Sequence, residues 1–208
     1  MKKSFFILEL VIVVVILGII YASFLPKKSY YKLDEVTNRV FIYLNFLRYQ
    51  ALVDDKFTYN NLWHKQRWTM KFFRCRENEG GGIYFSIYSE KNDTGHPNQK
   101  EALKDPLTNR YIFSNNYCRK NRENSPFVLL KNYDIKSVDI SCNSTTSLGQ
   151  ISFGNDGRVY SRLSNLSSQA YSYEIKLPCI IKFIANNDDF REIIIYPNSG
   201  FIEISQKK

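Results

Sequence analysis

The sequence predicts an α+β protein, in which a long N-terminal helix, first transmembrane and then amphipathic, packs on a C-terminal antiparallel β-sheet domain. Three observations predict it. Residues 5–25 read FFILELVIVVVILGIIYASFL, 21 positions with a single charge, Glu9. Residues 29–56 space their apolar side chains three and four apart, the period of a helix with one buried face. Beyond residue 57, β-branched and aromatic runs alternate with clusters of Gly, Asn, Asp and Pro, as strands alternate with turns. One helix followed by many strands is the order of an α+β fold.

Composition removes several classes. The chain has 208 residues, with 29 Lys and Arg against 20 Asp and Glu, a formal net charge of +9. Hydrophobic residues make up 44 %, including 15 Phe and 15 Tyr. That is too apolar for a disordered chain, which lacks the burial to offset its ordering entropy. Nine glycines without a period exclude a collagen-like rod. A mean hydropathy of −0.35 excludes a multi-span membrane protein.

A helix over residues 5–25 is roughly 30 Å long, the thickness of a bilayer's hydrocarbon core. Lys2 and Lys3 on its flank predict a cytoplasmic N-terminus, with everything after Pro26 on the far side. A secretory signal would end in small residues. Phe24 and Leu25 stand at that end, so the segment is expected to stay with the protein. Glu9 is the unusual residue, because a carboxylate inside a membrane costs roughly 2.5–3.5 kcal/mol on insertion scales. A cut before Phe5 would place a new α-amine at the end of the apolar helix, largely protonated at neutral pH. Paired with Glu9 of a neighbouring copy, it would neutralise the buried charge. Breaking such a pair costs about 3–5 kcal/mol, which would select the assembly register.

Ser4-Phe5-Phe6-Ile7-Leu8-Glu9-Leu10-Val11-Ile12-Val13 resembles the prepilin-type cleavage and methylation signal of type IV pilins and pseudopilins. In that family a short basic leader ends in a small residue, usually Gly where this chain has Ser4. The peptidase cuts before a Phe that becomes N-methylated, and the fifth mature residue is Glu. Counted from Phe5, Glu9 is fifth, Gly18 fourteenth and Pro26 twenty-second, where pilins carry Glu, Gly and Pro. The resemblance implies a leader over 1–4 processed at Ser4 and Phe5, and a transmembrane helix over 5–25. A periplasmic amphipathic helix over 26–56 and a periplasmic antiparallel β-domain over 57–208 would follow. It also implies assembly through Glu9, Gly18 and Pro26 and a single pass through a bacterial inner membrane. The implied partners are prepilin peptidase, other pilins or pseudopilins, the inner-membrane assembly platform and membrane lipid.

In the second helical stretch Leu33, Val36, Val40, Leu44, Leu47 and Ala51 form one stripe, expected to pack on the domain. Pro26 is expected to kink the helix without ending it. Arg48-Tyr-Gln-Ala51 sits where H-type minor pseudopilins and their FimT-like relatives carry Arg-x-x-Ala. Strands are expected over 68–75, 83–88, 111–113, 138–140, 171–177, 179–185, 190–196 and 201–205. A hairpin is expected over 150–163 around Gly154-Asn-Asp-Gly157. Residues 89–109 are polar and turn-rich, the mark of an exposed loop. Short connections among the last strands predict an antiparallel meander. The 151–158 and 193–202 hairpins resemble those of H-type pseudopilins more than those of major pilins.

Cys75, Cys118, Cys142 and Cys179 all follow the anchor. An even count in an oxidising compartment predicts two disulfides, with three possible connectivities. Sequential pairing, Cys75–Cys118 with Cys142–Cys179, is preferred. No C-x-x-C spacing points to zinc or redox chemistry. His64 and His96 both lie in polar stretches and are expected to be solvated. Gly80-Gly81-Gly82 lacks the Lys-Ser/Thr that follows a phosphate-binding loop. The Asn186–Asp189 tip, a conceivable calcium loop, is expected to be merely solvated. No enzyme, metal or cofactor is expected.

Charge is the remaining clue. Without Lys2 and Lys3 the mature chain keeps 27 basic against 20 acidic residues, +7, and a basic surface attracts polyanions. Arg158, Arg162, Lys207 and Lys208 are candidate DNA contacts, alongside Arg74, Arg76, Arg119, Lys120 and Arg122, with Tyr117 and Tyr160 for stacking. A solubilising scatter of charge is the competing reading. Some FimT-like proteins bind DNA through Gly-Arg-x-Arg in the C-terminal tail. Here the tail over 199–208 has no Arg, and Gly157-Arg158-Val-Tyr-Ser-Arg162 matches loosely. The functional expectation is a minor pseudopilin of a short periplasmic filament that serves DNA uptake in natural transformation. The alternatives are a minor pseudopilin of type II protein secretion and a membrane-anchored periplasmic binding protein that does not polymerise.

Overall fold

In the computed structural model the backbone is described for residues 2–23, 28–59, 61–92 and 94–205, and helix side chains for 7–21 and from 32 onward. Two helices come first, α1 (Lys2–Ser23) and α2 (Lys28–Val53). Eight strands follow: β1 (Trp68–Arg74), β2 (Ile83–Tyr88), β3 (Ile135–Ile140), β4 (Gln150–Phe153), β5 (Val159–Tyr160), β6 (Cys179–Ala185), β7 (Phe190–Ile195) and β8 (Ile202–Ile204). All named pairings are antiparallel, so the chain has an α+β fold. The strands form two four-stranded sheets, ordered β2-β1-β4-β5 and β3-β6-β7-β8. The meander expected at the C-terminal end is β6-β7-β8, with β3 added beside β6.

The stripe on α2 explains why both sheets meet there. Leu33, Val36, Val40, Leu44, Leu47 and Ala51 are all buried, joined by Tyr43, and α2 packs on strands of both sheets. In the second sheet, burial alternates strictly along β6 and β7, which places Ile181, Phe183, Ile193 and Ile195 in the core. A sheet with one covered face requires that alternation. The first sheet contributes Met70, Phe72, Phe85, Ile87, Ile151 and Phe153. Phe72 and Phe183 touch across the sheets, with ring centroids 6.3 Å apart.

Polar links fix α2 further. Lys32 Nζ lies 2.7 Å from Asp134 and Arg191 Nε 2.6 Å from Asp34. Tyr43 Oη donates to the buried Asp105 carboxylate at 2.9 Å, and burial pushes the Tyr43 phenol up to about 12. Arg48 Nε donates to the Ser199 carbonyl at 2.9 Å, and Trp68 Nε1 to Asp54 at 2.8 Å. Both disulfides form in the sequential pairing, with Cα–Cα distances of 5.7 Å for Cys75–Cys118 and 5.3 Å for Cys142–Cys179. The first ties the end of β1 to the long β2–β3 connection, and the second joins β3 to β6.

Several expectations need correcting. Residues 111–113 form no strand. Tyr111 makes isolated bridges to Lys104 and Asn124 inside the β2–β3 connection, because β2 leaves its outer edge to an irregular segment. Residues 171–177 likewise make one bridge, Tyr160 to Glu174, and expose Tyr171 and Leu177, so no covered face holds them as a strand. The connection over 89–109 is not wholly exposed, since Glu101 and Asp105 are buried and Asn98 with Glu101 forms a capping box. The two glycine turns pack together. Gly200, at φ +61°, leaves a Cβ no room, 3.0 Å from the Phe153 ring and 3.1 Å from the Gly157 carbonyl.

Among the described residues, no helix is long and apolar enough to cross a membrane. Side chains of α1 are described over 7–21, a stretch of roughly 22 Å at helical rise.

Candidate functional site

Two surfaces hold the residues that the sequence singled out. The first is α1. From Ile7 to Tyr21 every described side chain is exposed, the large apolar ones by 47–72 %. Glu9 lies in that stretch and is also exposed. A Cβ at Gly18 would meet nothing within 4 Å. Ser4 and Phe5 belong to the α1 backbone, but their side chains lie outside the described residues, as do Pro26, Lys207 and Lys208.

The second surface is cationic. Arg158 is not a free cation. Its guanidinium stands 3.3 Å from Asp156 and 3.4 Å from Glu174, which also holds Lys176 at 3.1 Å. Arg162, two positions past β5, is exposed and meets the Tyr173 ring at 5.0 Å instead of a carboxylate. The two arginines thus have opposite electrostatic surroundings despite the motif they share.

A denser basic group lies on the β2–β3 connection that the Cys75–Cys118 bridge holds down. Arg110, Arg119, Lys120 and Arg122 line a hollow of about 360 Å³ with Asn121 and Asn124. Arg119 reaches Glu79 through two hydrogen bonds of 2.6 and 3.1 Å, and these hold the Glu79 carboxyl below the usual carboxylate range. Arg76 stacks over Tyr117 at 4.4 Å. The Asn124 Oδ1 atom is buried with no hydrogen-bond partner among the described residues. Tyr117 is exposed as a stacking group must be.

Tyr160 is not available for stacking on a ligand. It is fully buried, and the Arg67 guanidinium lies 3.8 Å from its ring centroid. The sequence reading missed Arg67. It is 4 % exposed, with Trp63 at 4.9 Å and Tyr171 at 5.3 Å closing an aromatic box around it. Its Nη1 donates to the Ala170 carbonyl at 2.6 Å. Burial lowers its pKa, because the charge has left water. The closeness of Trp63 and Arg67 in the chain was the one local sign of such a box.

His64 also departs from expectation. It is fully buried, with Nε2 2.9 Å from the Ser164 carbonyl oxygen, a contact across a hundred residues of chain that polar neighbours in sequence cannot reveal. His96 is exposed as expected. At the β6–β7 tip Asp188 pairs with Lys136 at 2.8 Å and Asn187 donates to Asp189 at 2.8 Å. Among the described residues no three His, Cys, Asp or Glu side chains converge on a metal position.

No family model, curated protein or solved structure matches the chain. Fold and site together define a class: a disulfide-bonded α+β domain carrying an uncovered apolar helix and an excess of surface cations.

Proposed function

We propose that the chain is a minor subunit of a type IV pilus-like filament that serves DNA uptake in natural transformation. Residues 5–25 anchor it in a bacterial inner membrane, with the two-sheet domain in the periplasm. The observation that carries this reading is α1. It is apolar on every side and nothing among the described residues covers it, and such a helix needs a non-aqueous surrounding. A bilayer supplies one, and the packed helices of a filament supply another. Glu9 on that surface calls for a cation, and the α-amine freed on a neighbouring copy by a cut before Phe5 answers it. The open space at Gly18 lets a second helix approach closely. The excess of basic residues suits a polyanionic partner. Prepilin peptidase, other pilins and the assembly platform act on the α1 side of the molecule.

Intact mass and N-terminal sequence test the anchor. Cells with prepilin peptidase should yield a product beginning at N-methylated Phe5, and cells without it the full chain. A product beginning at Met1 in both overturns the filament reading. Glu9→Val should leave the domain folded and remove the protein from filament fractions. A deletion strain that no longer takes up DNA supports the uptake role. One that transforms normally yet fails to export proteins moves the subunit to type II secretion.

A further inference from the structure

The first sheet has an outer face on which Ser86, Gln150 and Tyr84 are buried while Lys71 and Phe73 are half-buried. Residues directly opposite in antiparallel strands share a face. Met70, Ile87 and Ile151 form one inward row, and Phe72 with Phe85 the next. The rows between them therefore point outward: Lys71 with Ser86 and Gln150, then Phe73 with Tyr84. Successive outward rows are about 6.8 Å apart along the strands. One row is cationic and its neighbour aromatic.

Each outward row opens into a cleft. Beside the first, a cleft of about 240 Å³ is lined by Lys65, Lys71 and Arg162, and among the described residues Glu90 is the only carboxylate lining it. That carboxylate accepts a hydrogen bond from the Gly95 backbone N–H, which holds it to its own loop. Lys71 and Arg162 form no ion pair among the described residues; each instead faces a ring, Phe73 at 5.3 Å and Tyr173 at 5.0 Å. Lys65 is only 7 % exposed. Burial lowers the pKa of Lys71 because the ammonium has left water, and the nearby Glu90 charge only partly opposes this. Beside the second row, a cleft of about 580 Å³ is lined by Phe73, Tyr84 and Phe113, with Arg74 and His96. Phe73 and Tyr84 stack at 5.0 Å with planes 14° apart.

The two clefts share Thr146 and Ser147, so they adjoin along the outer face, and together they are called the groove. Its wall is a shaped loop. Asn143 Nδ2 donates to the Ser147 carbonyl at 2.9 Å, while Asn143 Oδ1 accepts from the Thr145 N–H at 2.8 Å. Hydroxyls of Thr145, Thr146 and Ser147 thus stand beside the three cations.

We infer that this groove binds a nucleoside phosphate unit, free or within a single strand, with the base against the half-buried Phe73 and Phe113 and the phosphate between Lys71 and Arg162. Aromatic side chains that take bases beside a basic track that takes the backbone are the general means of holding single strands. The row spacing matches the reach from a base to its own phosphate, and the charge balance favours an anion. Inorganic phosphate would fill only one half. A duplex keeps its bases stacked inside and would leave the aromatic half empty. This deepens the DNA-uptake reading by naming the part of DNA that is held, yet it stands without the anchor.

Binding of the full chain in detergent micelles tests it, with a deoxynucleoside monophosphate, inorganic phosphate, a single-stranded oligomer and the matching duplex as probes. The single strand or the nucleotide should bind more tightly than phosphate or duplex. Lys71→Gln and Arg162→Gln should each weaken that binding roughly tenfold and reduce the salt slope by about one. Phe73→Leu should weaken it by a similar factor, about what a lost stacking contact removes, while leaving phosphate binding unchanged. Nucleotide binding without strand binding marks a free nucleotide as the ligand, and the reverse marks a strand; both uphold the groove. Equal affinity for duplex and single strand, or binding unchanged in all three variants, overturns it. Groove variants that lose binding while transformation stays normal would sink the uptake role and leave the groove standing.

Discussion

The two helices are of similar length, 22 residues in α1 and 26 in α2, and they meet opposite fates. The more apolar of the two, α1, is exposed around its whole described surface. The more polar one, α2, buries a complete stripe between two sheets. Patterning and not total hydrophobicity decides which helix the chain can use for its own core. A stripe has a polar back that solvent can take. A helix apolar all round has none, and no described residue of the chain covers α1.

The contrast can be broken or sharpened by measurement. The largest effect is expected from alkali, which acts on buried phenols of α2 and the two-sheet domain and not on α1. Burial pushes the phenols of Tyr43, Tyr84, Tyr133 and Tyr160 from 10.0 up to about 12. Below the lower value both folded and unfolded chains keep these protons and pH has no effect. Between the two values only the unfolded chain releases them, so stability falls as pH rises. Urea midpoints should drop steeply through that window, together with a rise in tyrosinate absorbance. Unchanged midpoints would show that these rings are wet.

Truncation of the stripe comes next. Leu44→Ala should cost about 2–5 kcal/mol by urea unfolding, whereas Val13→Ala on α1 should shift the same transition by less than about 0.5 kcal/mol. Equal losses would place α1 inside the domain. Replacing Cys142 and Cys179 by Ser opens a cross-link with a sequence separation of 37, worth about 3–4 kcal/mol in the chain-entropy picture. The second sheet should then lose hydrogen-exchange protection before the first. The smallest change is Lys32→Ala, which removes a half-exposed ion pair to Asp134 and should cost no more than about 1 kcal/mol, less in high salt.

Legibility followed range. The α2 stripe, β6 and β7 are read directly because their signal is a local period. The cysteine pairing agreed with sequential order. The division into two sheets was not readable, since β1 pairs with both β2 and the distant β4, and no local pattern encodes a distant partner. The same reason hid the burial of His64 against Ser164. Residues 171–177 misled through aromatic content, which marks strands only where a face is covered. Of the outer groove, the Lys71-Phe72-Phe73 alternation was on the page. That Lys65 and Arg162 would join Lys71 was not, because three separate segments deliver them. Arg158 and Arg162 looked alike in sequence, and only the fold shows that Asp156 and Glu174 occupy the first and leave the second.

The links at both ends of α2 have a mechanical consequence. Asp134 and Arg191 grip its start, while the Ser199 carbonyl and the Trp68 indole grip its end. A tug along its axis strains all four fastenings at once, together with the stripe sliding past two sheets, whereas a sideways tug would open them in turn. The helix is keyed into the domain like a shaft into a hub, and axial force entering at Lys28 would be shared across the whole hub before any single strand could peel away.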